Sequence, residues 1–120
     1  AAEIWGRLAR VARPWDLVLL GMGDDGHTAS LFPTSAAIVT ALDVALPPAC
    51  IAMQAPVAPY DRLSLNMAAL LETRRIVLHI QGATKWQVYQ KAQLAGATVA
   101  LPIRAVLRQS VVPVEVYWSP

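Results

Sequence analysis

The sequence is poor in cysteine, in charge and in uninterrupted apolar length. Cys50 is the only cysteine among 120 residues, which excludes an intrachain disulfide and a cysteine-rich metal site. Charged residues make up 15% of the chain and hydrophobic residues 56%, a balance that suits the doubly covered strands of a parallel sheet. The longest apolar stretch, 36–53, is interrupted by Asp43, Pro47 and Pro48, so it is a poor membrane span.

Charge of one sign is also scarce. Ten basic and eight acidic residues give a net charge of +2, and the basic residues are scattered along the chain. This pattern argues against a nucleic-acid-binding surface. Residues 1–20 contain no basic segment followed by an apolar core, so no secretory signal is expected. We expect a cytoplasmic protein that binds neither nucleic acid nor membrane.

Apolar runs alternate with helical patterns along the chain. Strands are predicted at 16–20, 51–54, 62–66, 76–80 and 114–118, and helices at 3–11, 67–71, 84–94 and 102–108. Thr84 is a predicted helix N-cap, and His79 is predicted to be a buried core histidine. The alternation predicts an α/β fold with a mostly parallel sheet flanked by helices.

The chain has features expected of part of a larger domain. It begins without methionine, and its strongest motif starts at Gly21, directly after the first predicted strand. A partial sheet would expose an unpaired strand edge, through which self-association is expected.

The most specific local pattern is a glycine loop. The string Gly21-Met22-Gly23-Asp24-Asp25-Gly26 matches G-x-G-x-x-G after a strand, the pattern of a dinucleotide site. However, its two carboxylates would repel a pyrophosphate at a helix N-terminus. Pro33 also interrupts the segment where a long helix should follow. We therefore reject a dinucleotide site.

The longer string GMGDDGHTASLFP, residues 21–33, resembles the signature of the 6-phosphogluconolactonases, within the glucosamine-6-phosphate isomerase/6-phosphogluconolactonase superfamily. The resemblance continues in family order through residues 62–65, 82–85, 101–104 and 113–118. It implies a Rossmann-like fold of the sugar-phosphate isomerase/lactonase type. The phosphate loop typical of the family's first half has no counterpart, so residues 1–120 are expected to form the C-terminal part of a single catalytic domain.

The resemblance implies a carboxylic ester hydrolase of the oxidative pentose phosphate pathway. Such an enzyme hydrolyses 6-phospho-D-glucono-1,5-lactone to 6-phosphogluconate with a water activated by histidine. His27 matches the family's general base, and histidine, with an ordinary pKa of about 6.5, is neutral at physiological pH. Asp25 is expected to orient the His27 imidazole, although aspartate also favours such turns for structural reasons. Asp24 is expected to face solvent.

Other matching residues point to the substrate. Lys85 and Arg62 match family residues near the substrate phosphate, and the start of a helix adds partial positive charge near Lys85. The loop glycines are expected to let the backbone approach the substrate and to offer donors. These glycines are Gly21, Gly23 and Gly26.

Two alternatives remain open. Glucosamine-6-phosphate deaminases and related isomerases share the glycine–histidine core but carry a carboxylate before the proline, where this chain has Phe32. An apolar ring cannot transfer a proton, which favours the lactonase. The chain could instead be a non-catalytic phosphosugar-binding fragment. We predict no metal, because His27 and His79 lack ligand spacing, and no cofactor, because hydrolysis needs none.

Overall fold

The computed structural model describes residues 1–120 as an α/β chain. The five strands are β1 (Val18–Leu20), β2 (Cys50–Gln54), β3 (Asp61–Leu65), β4 (Ile76–Gln81) and β5 (Val114–Ser119). The α-helices are α1 (Ala2–Leu8), α2 (Ile38–Leu42), α3 (Met67–Leu70), α4 (Ala83–Ala92) and α5 (Ile103–Arg108), and a 3₁₀ turn covers Thr98–Ala100. None of the helices has the length and apolar character needed to cross a membrane.

Three of the strands form a parallel sheet in the order β1-β4-β5. Leu78 of β4 lies opposite Leu20 on one side and Val116 on the other. β2 and β3 form a separate antiparallel hairpin. The predicted α/β class with a mostly parallel sheet is therefore confirmed, and the carboxyl ends of β1, β4 and β5 share one edge.

The core lies on one face of this sheet. Ile76, Leu78 and Ile80 of β4 are at most 2% exposed, because alternate residues of a strand point to the same face. On the opposite face, Leu19 is 66% exposed and Tyr117 is 52% exposed. His79 shares that open face and is exposed. The prediction of a buried core histidine is therefore wrong.

The connection from β4 to α4 is shorter than the sequence pattern suggested. β4 continues through Gln81, and α4 begins at Ala83 with Gly82 as its N-cap and no capping side chain. The predicted N-cap at Thr84 is therefore wrong, because Thr84 already lies within the first turn. Gly82 has φ 93°, a conformation that glycine adopts without steric cost.

A buried arginine joins the last two helices. Arg104 of α5 is 4% exposed, and its guanidinium donates to the carbonyl oxygens of Lys91, Ala92 and Ala97 at 2.8–3.3 Å. Carbonyl groups at the end of a helix have no intrahelical donor, so Arg104 satisfies those of α4. This contact fixes the start of α5 relative to the end of α4.

Candidate active site

The candidate site lies where β1 and β4 end. The loop of residues 21–33 follows β1, and the turn at Gly82 follows β4. Because the two strands are parallel neighbours, both connections emerge at the same edge, where α/β sheets gather ligands. A cleft of about 610 Å³ opens there, and its walls include Gly21, Gly23, His27 and Lys85. The structure thus brings together four of the predicted site residues.

His27 is held by the carboxylate two residues before it. Its ring Nδ1 lies 2.5 Å from Asp25 Oδ1, and its backbone N–H donates to the same oxygen at 3.1 Å. A carboxylate at Nδ1 favours the tautomer with the proton on Nδ1, which leaves Nε2 free to accept one. The side chains of His27 and Asp25 are 29% and 36% exposed, and only the imidazole lines the cleft. Asp24 is exposed, as expected.

Gly23 makes room for this pair. A Cβ atom at residue 23 would lie 2.2 Å from both Nδ1 and Cε1 of His27 and 2.9 Å from Asp25 Oδ1. The Gly23 N–H donates to the carbonyl oxygen of His27 at 2.9 Å, so this N–H is engaged inside the loop. Glycine at this position is therefore required by the imidazole itself.

Phe32 completes the environment of the imidazole. Its ring centroid lies 4.5 Å from that of His27, with the ring planes tilted by 43°, and the side chain is only 4% exposed. Packing against a buried ring restricts the orientations open to His27. Sequence reasoning considered Phe32 only as the absence of a carboxylate and missed this contact, because it depends on how the loop folds back.

Gly26 is a structural residue of the loop. It is buried with φ 79°, and a Cβ there would lie 2.7 Å from Leu101 Cδ2 and 3.1 Å from Leu101 Cα. Its N–H donates to the Gly23 carbonyl oxygen, and its own carbonyl oxygen accepts from the Ile103 N–H at 2.8 Å. Gly26 therefore lies beneath Leu101 and does not line the cleft, and its predicted contact with the substrate stays a prediction.

A buried threonine closes the base of the loop. Thr28 is 1% exposed, and its hydroxyl donates to the carbonyl oxygen of Gly21 at 2.7 Å. This contact joins the end of β1 to the residue after His27. Sequence reasoning gave Thr28 no role, and its position next to the histidine was the only available signal.

The cleft has the charge expected of an anion site. Lys85 is the third residue of α4 and is half-buried in the cleft wall. No carboxylate lines the cleft, since Asp25 lies behind the imidazole. A cation near the free N–H groups of a helix start attracts phosphate.

Arg62 lies outside this cleft. It lines a neighbouring cleft of about 700 Å³ beside Asp61 and Gln54. Its Nε donates to the carbonyl oxygen of Pro59 at 2.9 Å, and its Cζ lies 5.7 Å from the Phe32 ring centroid. Arg62 and Lys85 therefore line different clefts, and the contact of Arg62 with a substrate phosphate stays a prediction.

The fold and the site define an α/β protein with a histidine–carboxylate pair and a lysine at the carboxyl ends of parallel strands. Residues 1–118 match the family described as glucosamine-6-phosphate isomerases/6-phosphogluconolactonase. The chain belongs to this family.

Individual relatives agree with the family match. The 6-phosphogluconolactonase of Rhizobium meliloti (strain 1021) is 42% identical over 120 residues, which is all of this chain and 52% of the relative. That of Pseudomonas putida is 40% identical over 107 residues, or 89% of this chain and 43% of the relative. The crystal structure of a 6-phosphogluconolactonase from Shewanella baltica OS155 superposes with a TM-score of 0.89 at 43% identity, covering 96% of this chain and 48% of that one.

The chain thus spans about half the length of the curated relatives that it matches. Its placement as the C-terminal part of the family's catalytic domain stays a prediction.

Proposed function

We propose that this chain supplies the water-activating histidine and a phosphate contact of an enzyme that hydrolyses 6-phospho-D-glucono-1,5-lactone. The observation that carries the proposal is that His27, whose ring lies 2.5 Å from Asp25, stands in the wall of a cleft that Lys85 also lines. The relatives of about 40% identity that are named 6-phosphogluconolactonase support the same reaction.

In the proposed reaction, His27 acts as general base. A water attacks the lactone carbonyl carbon while His27 Nε2 takes one of its protons. Asp25, at Nδ1, stabilises the imidazolium that forms. The tetrahedral intermediate then collapses, the bond from the carbonyl carbon to the ring oxygen breaks, and the imidazolium returns its proton to that oxygen. The products are the open-chain hydroxyl and a carboxylic acid, which ionises in water.

Lys85 fits the phosphate end of this substrate. Lys85 lines the cleft from α4, and His27 lines it from the loop after β1. A substrate bound between them would place its phosphate near Lys85 and its lactone carbonyl near His27. The ammonium group adds a full charge to the partial charge of the helix start. We expect Lys85 to act mainly on substrate binding and His27 mainly on the chemical step.

Phe32 favours the lactonase over a deaminase or isomerase. Opening and isomerising an amino sugar requires a group that transfers protons at the ring, whereas Phe32 has none and packs against His27 at 4.5 Å. Lactone hydrolysis requires only an activated water and stabilisation of developing charge. The contact between His27 and Asp25 supports the first of these requirements.

The function is tested with this chain and with a hybrid in which it replaces the matching segment of the Rhizobium meliloti relative. Acid release from freshly prepared 6-phosphogluconolactone is followed, with spontaneous hydrolysis subtracted. We expect the hybrid to be active and its His27→Ala variant to be inactive. His79→Ala is the matched control, because His79 is the other histidine and lies exposed on the open face of the sheet.

Each result of this assay has a distinct meaning. An inactive hybrid that folds and still binds 6-phosphogluconate would support the non-catalytic phosphosugar-binding alternative. Full activity in His27→Ala would refute the proposed base. Activity of the 120-residue chain alone would show that it contains a complete site. A cytoplasmic location and self-association through the sheet edge stay predictions.

A further inference from the structure

The end of β5 forms hydrogen bonds with the turn that precedes α4. Trp118 pairs with Ile80 and Ser119 with Gln81 in the parallel register. Immediately beyond, the Gly82 N–H donates to the Ser119 carbonyl oxygen at 2.9 Å, and the Gly82 carbonyl oxygen accepts from Trp118 Nε1 at 2.9 Å. Both polar groups of the Gly82 backbone are thus held by β5.

No side chain other than Trp118 hydrogen-bonds to Gly82. α4 has no capping side chain, and the Gly82 carbonyl oxygen also accepts the first helical bond, from the Trp86 N–H at 3.2 Å. The rings of Trp86 and Trp118 pack 4.9 Å apart. Trp118 therefore contacts the start of α4 in two ways. Its indole N–H donates to the Gly82 carbonyl oxygen, and its ring packs against the Trp86 ring.

Lys85 lies inside the turn that these contacts fix. It is separated from Gly82 by two residues, belongs to the first turn of α4, and lines the cleft. The indole donor polarises and orients the Gly82 peptide, which precedes the free N–H groups of the helix start. A shift of this turn would move Lys85 and those N–H groups together.

We propose that Trp118 is a positioning residue for the phosphate end of the cleft, acting through Gly82 on Lys85 and on the N–H groups at the start of α4. The proposal rests on the proposed function and deepens it. It predicts that Trp118 affects the binding of phosphorylated ligands and leaves the chemistry at His27 unchanged.

The first test compares Trp118→Phe with Tyr117→Phe in the hybrid enzyme. Phenylalanine keeps an aromatic ring against Trp86 and removes only the N–H donor. Losing one hydrogen bond predicts a rise of about three- to tenfold in KM for 6-phosphogluconolactone, with kcat unchanged and the KM for unphosphorylated glucono-δ-lactone unchanged. Tyr117→Phe is the matched control, because the Tyr117 hydroxyl donates to Glu115 on the open face.

Two outcomes of this comparison would overturn the proposal. An unchanged KM for the phosphorylated lactone would show that the indole donor does not matter. Equal losses in kcat/KM for both lactones would show a general structural role. Gly82→Ala provides a second variant that leaves Trp118 intact. Its Cβ would meet no atom within 4 Å, but φ 93° is strained for alanine, so the same selective rise in KM is expected.

A second measurement is independent of lactonase activity. Inorganic phosphate is titrated into the ¹⁵N-labelled 120-residue chain while the amide resonances of Thr84 and Lys85 are followed. We expect saturable shifts that require about three- to tenfold more phosphate in Trp118→Phe. An inactive hybrid would remove the proposed reaction alone. An absent phosphate response, or equal midpoints in both proteins, would remove the role of Trp118.

Discussion

Gly23→Ala tests whether the orientation of the His27 imidazole limits the reaction. The added Cβ would lie 2.2 Å from Nδ1 and Cε1, whereas ordinary van der Waals contact begins at 3.4 Å. The ring must therefore move by more than about 1 Å, since the Cβ is rigidly attached to the backbone. Gly23 does not have a positive φ, so alanine introduces no backbone strain and the perturbation falls on the side chains.

The expected effect is large on the rate and small on stability. A displacement of about 1 Å in a positioned group costs roughly a hundredfold in rate, or about 2.7 kcal/mol of activation free energy. The same displacement breaks the contact of Nδ1 with Asp25. Because the imidazole is 29% exposed, it can swing into the cleft, and we expect the free energy of unfolding to fall by only about 1 kcal/mol.

The assay measures kcat and KM of the hybrid enzyme and the free energy of unfolding in urea. Gly6→Ala is the matched control, because its Cβ would meet no atom within 4 Å and its site in α1 favours alanine over glycine. We expect kcat to fall about a hundredfold in Gly23→Ala and to stay unchanged in Gly6→Ala. A Gly23→Ala enzyme that folds and keeps kcat within about threefold of the parent would refute the argument from geometry.

Four other substitutions and reactions test single contacts. Asp25→Asn removes the charge that stabilises the imidazolium, so steady-state kinetics should show kcat reduced at least about tenfold with KM unchanged; an unchanged kcat would contradict this. Lys85→Ala should raise KM for the phosphorylated lactone only, with Lys91→Ala at the exposed end of α4 as control, and equal effects of the two would contradict it. Gly26→Ala combines a positive φ with a 2.7 Å clash against Leu101 and should lower the unfolding free energy by about 2–4 kcal/mol in urea, and a loss below about 1 kcal/mol would contradict it. Burial raises the pKa of the Cys50 thiol, so its alkylation by iodoacetamide should increase at higher pH than that of free cysteine, and a matching pH profile would contradict it.

The sheet was largely predictable because its signals are local. The strand Ile76–Gln81 is apolar at four of its six positions and is followed by Gly82, and a helix of ten residues comes next. The errors arise where the outcome depends on distant segments. His79 alternates within an apolar strand, but the sequence does not show which face of the sheet another element covers. Thr84 is a good N-cap by residue type, but α4 begins one residue before it, at Ala83, with Gly82 as its N-cap.

The candidate site divides in the same way. The contact between His27 and Asp25 follows from a spacing of two residues in a turn, so it was predictable. The contacts of the imidazole with Gly23 and Phe32 require the loop to close on itself, through the Thr28 hydroxyl at its base. The position of Arg62 depends on how the β2–β3 hairpin lies against the loop, and no local pattern reports that.

Hydrogen bonds and packing connect the separate sequence motifs around His27. The Leu101–Arg104 segment has no group in the cleft, yet Leu101 packs on Gly26 and the Ile103 N–H holds the Gly26 carbonyl oxygen. Arg104 fixes this segment by binding the carbonyl groups that end α4, and β5 holds the beginning of the same helix through Gly82. A displacement of α4 would therefore move Lys85 directly. It would also shift His27 indirectly, through the contacts of α5 and Gly26. Because packed elements transmit strain, we expect a displacement of this one helix to affect both ends of the cleft.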